Sequence, residues 1–171
     1  MEKFKLVVIP PAPPFPNSRL PVIVYPQAVE GKGDLATRLV ALFARHGWPD
    51  AWVNGVYSFD HFHAQAHEVL GCAKGSARLR LGGPHGEEFD IKAGDVVLLP
   101  AGTGHRRISA SADFSIVGSY PAGQSPDMQR GSAEAYAMLK KLAGQVPLPD
   151  RDPVLGAGGP AVHAWREALK E

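Results

Sequence analysis

The sequence contains a single cysteine, Cys72, among 171 residues. An internal disulfide is therefore impossible, and a reducing compartment such as the cytoplasm is expected. No apolar run reaches membrane-spanning length, and the run at residues 6–9 is too short for the core of a signal peptide. Long basic runs are also absent, and 18 basic residues balance 17 acidic ones, so neither nucleic acid nor a membrane is an expected partner.

Turn-forming residues are abundant instead, with 19 glycines and 16 prolines. This composition favours many turns and short strands over a bundle of helices. Between residues 48 and 120, apolar and polar residues alternate with a period of two, as in SARLRL at residues 76–81, and turn signals follow one another closely. This region is predicted to form an antiparallel sandwich or barrel.

Both flanks of this region carry helical patterns. Apolar residues recur at helical spacing in residues 34–46, with Asp34 as a cap at the start and Gly47 as a stop. Two shorter helices are predicted at residues 132–143 and 161–169. The apolar side of the first of these two is expected to consist of Ala135, Met138, Leu139 and Leu142.

The chain is expected to be one domain over residues 1–171. Residues 1–47 would contain a strand, a proline-rich arm and a helix, residues 48–120 the core barrel, and residues 121–171 a helical extension. The prolines at positions 10–16 favour an extended arm that lies along the surface.

Histidines are concentrated in one part of the chain, with five of seven between residues 61 and 105. His61 and His63 lie two residues apart and would face the same side of a strand, together with Tyr57 and Phe59. A turn or bulge after His63 would bring Glu68 back toward them. His105 follows a Pro-Ala-Gly turn that can deliver a third imidazole. Three imidazoles and one carboxylate suit a divalent first-row transition metal, with one or two positions left for water or substrate.

Other side chains near these residues are candidates for acid, base or anion-holding roles. His67 precedes Glu68, so its parity turns it away from the ligands. Arg107 shares the parity of His105 and would hold an anion or lie on a solvent face. Tyr57 would contact substrate or fill the barrel, and Cys72 is expected to be a small buried apolar side chain. The candidate catalytic residues are therefore Tyr57, His67 and Arg107.

Two segments resemble the motifs of the cupin superfamily. The first motif is Gly, five residues, His-x-His, three or four residues, Glu, six residues, Gly, and it matches Gly55, His61, His63, Glu68 and Gly75. The second is Gly, five residues, Pro-x-Gly, two residues, His, three residues, Asn. It matches Gly94, Pro100, Gly102 and His105, with Ser109 in place of the Asn. The two motifs are separated by 18 residues, a short linker typical of small bacterial cupins.

This resemblance implies a mostly β fold, a cupin-type jelly-roll β-barrel with one N-terminal helix and two short C-terminal helices packed outside. It implies the metal ligands His61, His63, Glu68 and His105, and one divalent metal, with iron, manganese, nickel and zinc not distinguished by the sequence. Since cupins include dioxygenases and isomerases, a metal-dependent small-molecule enzyme is expected. A non-catalytic domain that binds or senses a small ligand is the alternative, and a structural metal is a third. The ligand would lie in the barrel, and edge pairing favours a homodimer.

Overall fold

The computed structural model describes residues 3–171. Within these residues the chain forms nine strands and three helices. Their order is β1 (Lys5–Ile9), β2 (Ser18–Tyr25), α1 (Leu35–Arg45), β3 (Trp52–Asn54), β4 (Glu68–Lys74), β5 (Ser76–Leu81), β6 (Glu87–Lys92), β7 (Val96–Leu99), β8 (His105–Ala110), β9 (Ser115–Ser119), α2 (Tyr136–Gly144) and α3 (Pro160–Ala168).

The strands form two antiparallel sheets that pack face to face. The larger sheet has six strands in the order β1-β2-β7-β4-β9-β3, and the smaller has three in the order β6-β5-β8. An inner apolar cluster joins the two, with Leu70 and Val97 from the large sheet and Leu79 and Leu81 from the small one. The predicted cupin-type jelly roll is confirmed, although the two sheets do not close into a continuous barrel.

The centre of the large sheet is buried on both faces, which explains why β7, and β4 up to its last residue Lys74, consist of continuous buried residues. Its outer face carries α1 and α3, and Leu39, Phe43 and Trp165 pack there in a second apolar cluster. A β-carbon at Gly71 would lie 2.9 Å from Leu39 Cδ2, so glycine allows α1 to approach the sheet closely. Because successive side chains alternate, Glu68 and Leu70 point to the inner face.

The N-terminal region differs from the sequence-based prediction. Strands β1 and β2 belong to the large sheet, so the sheet core begins at residue 5 rather than near residue 48. The proline-rich arm is not extended, because Ala12 and Phe15 exchange two backbone hydrogen bonds of 2.9 and 2.8 Å and form a tight turn. Phe15 is buried and packs edge-on against Phe62. This contact provides the apolar burial that favours the turn over an extended arm.

The three helices are confirmed, with shifts at their ends. Asp34 caps α1 as predicted, because its side chain accepts a hydrogen bond from the Thr37 amide. Helix α2 begins at Tyr136 rather than near residue 132. Met138 is 63% exposed, so its predicted place on the buried side of that helix is wrong. Within the described residues, no helix combines the length and apolar character that crossing a membrane requires.

Candidate metal centre

The segment that carries His61 and His63 is held between two other parts of the chain. His61 and His105 exchange backbone hydrogen bonds of 3.2 and 2.8 Å, and Phe62 exchanges 2.9 and 3.0 Å bonds with Gln129. Residues 55–63 are otherwise a loop rather than the predicted strand. These bridges still impose strand-like alternation, so the two histidines share one face and Phe62 is buried on the other.

Three histidines converge on one point. The nearest ring nitrogens of His61, His63 and His105 all lie within 4.8 Å of one another, and all three side chains are buried. Glu68 lies at the start of β4, and its Oε1 is 3.4 Å from His63 Nε2 and 3.2 Å from His105 Nε2. Glu68 is brought there by the turn-like segment after His63, in agreement with the sequence-based prediction.

The orientation of each imidazole is set by a backbone carbonyl. His61 Nδ1 lies 2.9 Å from the Phe59 oxygen, and His105 Nδ1 lies 3.0 Å from the Thr103 oxygen. His63 Nδ1 is hydrogen-bonded to the Asp127 carbonyl. A carbonyl only accepts hydrogen bonds, so each Nδ1 carries a proton, and Nε2 is the atom that each ring directs to the centre, where a metal would bind it in place of a proton. This is the usual support for histidine metal ligands, and the group can bind a metal ion.

Charge at this centre also suits metal binding. Burial lowers the pKa of His61 to about 3, and the neighbouring His105 adds to the effect, so this imidazole is neutral at pH 7. Burial alone would raise the pKa of Glu68, but hydrogen bonds with His105 and His63 hold it well below its usual range. Glu68 is therefore ionised. Burial opposes protonation of His63, yet its hydrogen bond with Glu68 raises its pKa overall.

The four side chains lie in a cavity of about 560 Å³ that opens to solvent. Its other walls come from β3, β4, β8, the loop after β3 and the segment after β9. They are formed by Trp52, Val53, Asn54, Gly55, Val56, Tyr57, Ser58, Leu70, Arg107, Tyr120, Pro126, Asp127 and Met128. The volume falls in the range of small-molecule sites.

The structure separates the three candidate catalytic residues. Tyr57 and Arg107 line the cavity. His67 does not, and its two ring nitrogens are engaged elsewhere: Nδ1 accepts a 2.9 Å hydrogen bond from the Ala101 amide, and Nε2 lies 3.1 Å from the Pro147 carbonyl. His67 is also fully buried against Trp165. It is therefore a bridge between the second motif and the C-terminal segment, and the prediction that it acts as an acid or base is wrong.

Phe59 and Cys72 do not line the cavity. Phe59 stacks on Tyr57 at 4.8 Å between ring centroids, and the Arg130 guanidinium covers it at 3.8 Å. Cys72 lies in the inner apolar cluster, where burial raises the pKa of its thiol to about 12. It is the small buried apolar side chain expected from the sequence.

Sequence reasoning overlooked Tyr120 and its partner Trp52. Trp52 pairs with Gly118, where the missing side chain leaves room for the indole ring. The indole Nε1 then donates a 3.1 Å hydrogen bond to the Tyr120 hydroxyl. Burial and the neighbouring Glu68 carboxylate raise the pKa of Tyr120, so the hydroxyl keeps its proton. The parity of Ile116, Gly118 and Tyr120 was the available signal for this inward position.

Asp127 was also overlooked, and no sequence pattern marks it. Its Oδ1 accepts hydrogen bonds of 2.8 Å from the amides of Ala64 and Gln65, directly after His63. Its Oδ2 accepts a 2.9 Å bond from Gln129 Nε2. Asp127 thus fixes the chain at His63 with its carboxylate while its carbonyl orients the imidazole ring.

The sheet order, with both motifs meeting at one buried site, is that of a cupin-type fold. No family model matches the sequence. The chain is 37% identical over 145 residues to the uncharacterized protein YjlB of Bacillus subtilis (strain 168), covering 85% of this chain and 86% of that one. The chain therefore belongs to the same protein family as YjlB.

Several solved structures show weaker similarity. RmlC from Streptococcus suis in complex with dTDP-D-xylose has a TM-score of 0.40 and 10% identity, covering 71% of this chain and 72% of that chain. Acireductone dioxygenase from Bacillus anthracis with a cadmium ion in its active centre has a TM-score of 0.38 and 15% identity, covering 72% and 81%. The 11S globulin from Wrightia tinctoria has a TM-score of 0.37 and 16% identity, and 46% of this chain covers 21% of that one. With scores this low, nothing about function is taken from them.

Proposed function

We propose that this protein is a metal-dependent enzyme acting on a small molecule, of the oxygenase or isomerase type. His61, His63, Glu68 and His105 would hold one divalent transition metal. The observation that carries the proposal is the orientation of the three imidazoles, whose Nδ1 atoms are all hydrogen-bonded to backbone carbonyls. Their ligand nitrogens lie within 4.8 Å of one another, and Nε2 of His63 and of His105 lies 3.4 and 3.2 Å from Glu68 Oε1. A purely structural cluster has no need of three imidazoles directed at one point.

A bound ion would supply Lewis acidity toward a keto or sugar oxygen, or dioxygen chemistry if it is iron. The remaining steps belong to residues of the chain. Glu68 places one negative charge beside the histidines and so favours a cation over neutral ligands. The Tyr120 hydroxyl uses its acceptor side for Trp52, so its proton is available to Glu68 or to a ligand in the cavity. Tyr57 lies at the mouth and would limit the entry of water over a bound substrate.

A non-catalytic binding or sensing domain is the second candidate, and one observation favours it. Among the carboxylates that line the cavity in the described part of the chain, none is free to act as a base. Glu68 faces the histidines, and both carboxylate oxygens of Asp127 accept hydrogen bonds from amides. Stabilisation by one metabolite that is recovered unchanged would support this candidate.

The test of the first proposal begins with metal content. The protein would be purified without added metal, its bound metal measured by mass spectrometry, and oxygen uptake and turnover of keto-acid, thiol and sugar-phosphate substrates followed with each metal restored. His61→Ala/His63→Ala is expected to lose both metal and activity, while His85→Ala, which changes an exposed histidine, keeps both. Activity that survives in the double variant without metal would refute the mechanism.

We also propose that the protein acts in the cytoplasm as a homodimer. The support for the cytoplasmic location is Cys72, whose buried thiol has no disulfide partner in the chain. The support for the homodimer is strand β1, an outer strand of the large sheet on which Leu6 and Val8 are exposed. Such an edge is suited to pairing with a second copy.

A further inference from the structure

Arg107 lies on the inner face of the small sheet. In the pairing of β8 with β5, His105 is opposite Leu81 and Arg107 is opposite Leu79. Both leucines are buried in the inner cluster, so their cross-strand partners share that face. Arg106 lies between the two and points to the outer face. This alternation places the guanidinium of Arg107 in the same cavity as the candidate metal ligands.

Arg107 differs from its neighbours in having no anionic partner. Arg80 lies 2.9 Å from Asp60, and Arg106 lies 3.6 Å from the same carboxylate. Across residues 3–171, no carboxylate lies within ion-pair distance of Arg107, and its guanidinium makes no hydrogen bond. It is half-buried and is the one lysine or arginine among the described residues of the cavity wall. A cation that is partly removed from water and left unpaired is suited to binding an anion.

The mouth of the same cavity is apolar. Val53 is 54% exposed, Tyr57 56% and Met128 44%, and all three line the cavity. Trp52 and Leu70 continue the apolar wall further inside. An exposed apolar rim around a few polar groups is typical of a ligand site. The cavity therefore offers one positive charge and an apolar surface to the same occupant.

We propose that the ligand is a small organic monocarboxylate with an apolar body. Arg107 binds the carboxylate through its planar fork, and Val53, Tyr57 and Met128 contact the body. In the protein without metal, a carboxylate fits better than a phosphate ester, because the ester carries nearly two negative charges and the wall supplies one guanidinium. The proposal names the ligand class for the function proposed above. It rests on that function only for any contact between the ligand and a metal, because binding of the carboxylate by Arg107 does not require one.

The inference can be tested by titration calorimetry with four probes: phenylacetate, its neutral analogue phenylacetamide, phenyl phosphate, and acetate, which lacks the apolar body. Each would be measured with zinc-saturated protein and with protein kept in chelator. Wild type is expected to prefer phenylacetate to phenylacetamide by about tenfold or more in both states, since a charge-assisted bidentate pair is lost with the amide. Acetate is expected to bind more weakly than phenylacetate.

Three variants assign this preference to Arg107. Arg107→Gln is expected to abolish it, and Arg107→Lys, which keeps the charge without the fork, to reduce it part-way. If Arg107→Gln does not fold, Arg107→Lys tests the same role of the guanidinium. Arg106→Gln changes the neighbouring arginine on the outer face and is expected to keep the full preference. The inference is overturned if the preference survives in Arg107→Gln, if phenyl phosphate binds the chelated protein more tightly than phenylacetate does, or if none of the anions binds.

The two proposals fail in different ways. If zinc does not bind but the chelated protein still shows a preference that depends on Arg107, the metal assignment is wrong and the ligand class stands. If zinc binds in a manner that requires His61 and His63, while the preference persists without Arg107, the ligand class is wrong and the metal assignment stands.

Discussion

His67 makes the stability of this protein depend on pH in a calculable way. Burial lowers its pKa to about 4, against an ordinary value of 6.5. The folded state therefore keeps a neutral ring, with Nδ1 accepting from Ala101 and Nε2 donating to Pro147. In the unfolded chain the same ring takes up a proton below pH 6.5. The contribution to stability is full above that pH and falls as the pH decreases toward 4.

The magnitude follows from the two pKa values. The loss between pH 8 and pH 5.5 is about 1–2 kcal/mol, and the full loss below pH 4 is about 3 kcal/mol. Other buried groups, such as His61, also titrate, so the pH profile of the wild type alone does not isolate His67. The difference between the wild type and His67→Gln does, because the other groups contribute equally to both proteins.

The assay is urea unfolding of both proteins at pH 8 and pH 5.5 in the presence of chelator, so that metal uptake does not add its own pH dependence. At pH 8 the variant is expected to be less stable by about 1–3 kcal/mol, because the buried Ala101 amide loses its acceptor. At pH 5.5 this gap is expected to shrink by about 1–2 kcal/mol. His85→Gln, at an exposed position, is the control and should show no such change. A gap of the same size at both pH values would refute the placement of a neutral, buried His67.

Three further predictions follow from other contacts. Asn17→Ala removes three hydrogen bonds of 2.9, 3.2 and 3.0 Å between its side chain and backbone groups. Urea unfolding is expected to show a free energy of unfolding lower by about 2–4 kcal/mol, whereas Arg19→Ala at an exposed site changes it little. Tyr120→Phe is expected to weaken zinc binding about tenfold in a chelator competition, while Tyr57→Phe at the mouth leaves it unchanged. Equal zinc affinities of the wild type and Tyr120→Phe would contradict the role of the Tyr120 hydroxyl. Val8→Lys on the edge strand is expected to convert a dimer to a monomer in light scattering, and a monomeric wild type would end the dimer proposal.

The sequence predicted the converging side chains well because their relation is largely local. His61 and His63 are related by alternation, and Glu68 is related to them by a single turn. His105 was assigned from the spacing of the second motif. The direction of His67, away from these ligands, also followed from parity. That the group binds metal in solution stays a prediction for the metal analysis described above.

The overlooked residues depend on contacts between distant parts of the chain. Asn17 donates to Pro10 and Gly82 and accepts from Gly104, which directly precedes His105. Asp127 reaches back to the chain after His63. Neither residue belongs to a repeating pattern, because each satisfies backbone groups that only the folded topology brings together. The proline-rich arm was mispredicted for the same reason, since its turn depends on the burial of Phe15 against Phe62.

One prediction about the site was correct for a reason other than the one given. Tyr57, Phe59, His61 and His63 were expected to share one face of a strand, and the common direction of the two histidines was deduced from it. In the structure a loop reaches the site, and the alternation comes from two isolated bridges, one from His61 to His105 and one from Phe62 to Gln129. The first bridge joins two proposed ligands, His61 and His105, through their own backbones, so one pair of hydrogen bonds positions both of these residues. The geometry of the centre is therefore set by contact between the two motifs, and neither segment would hold it alone.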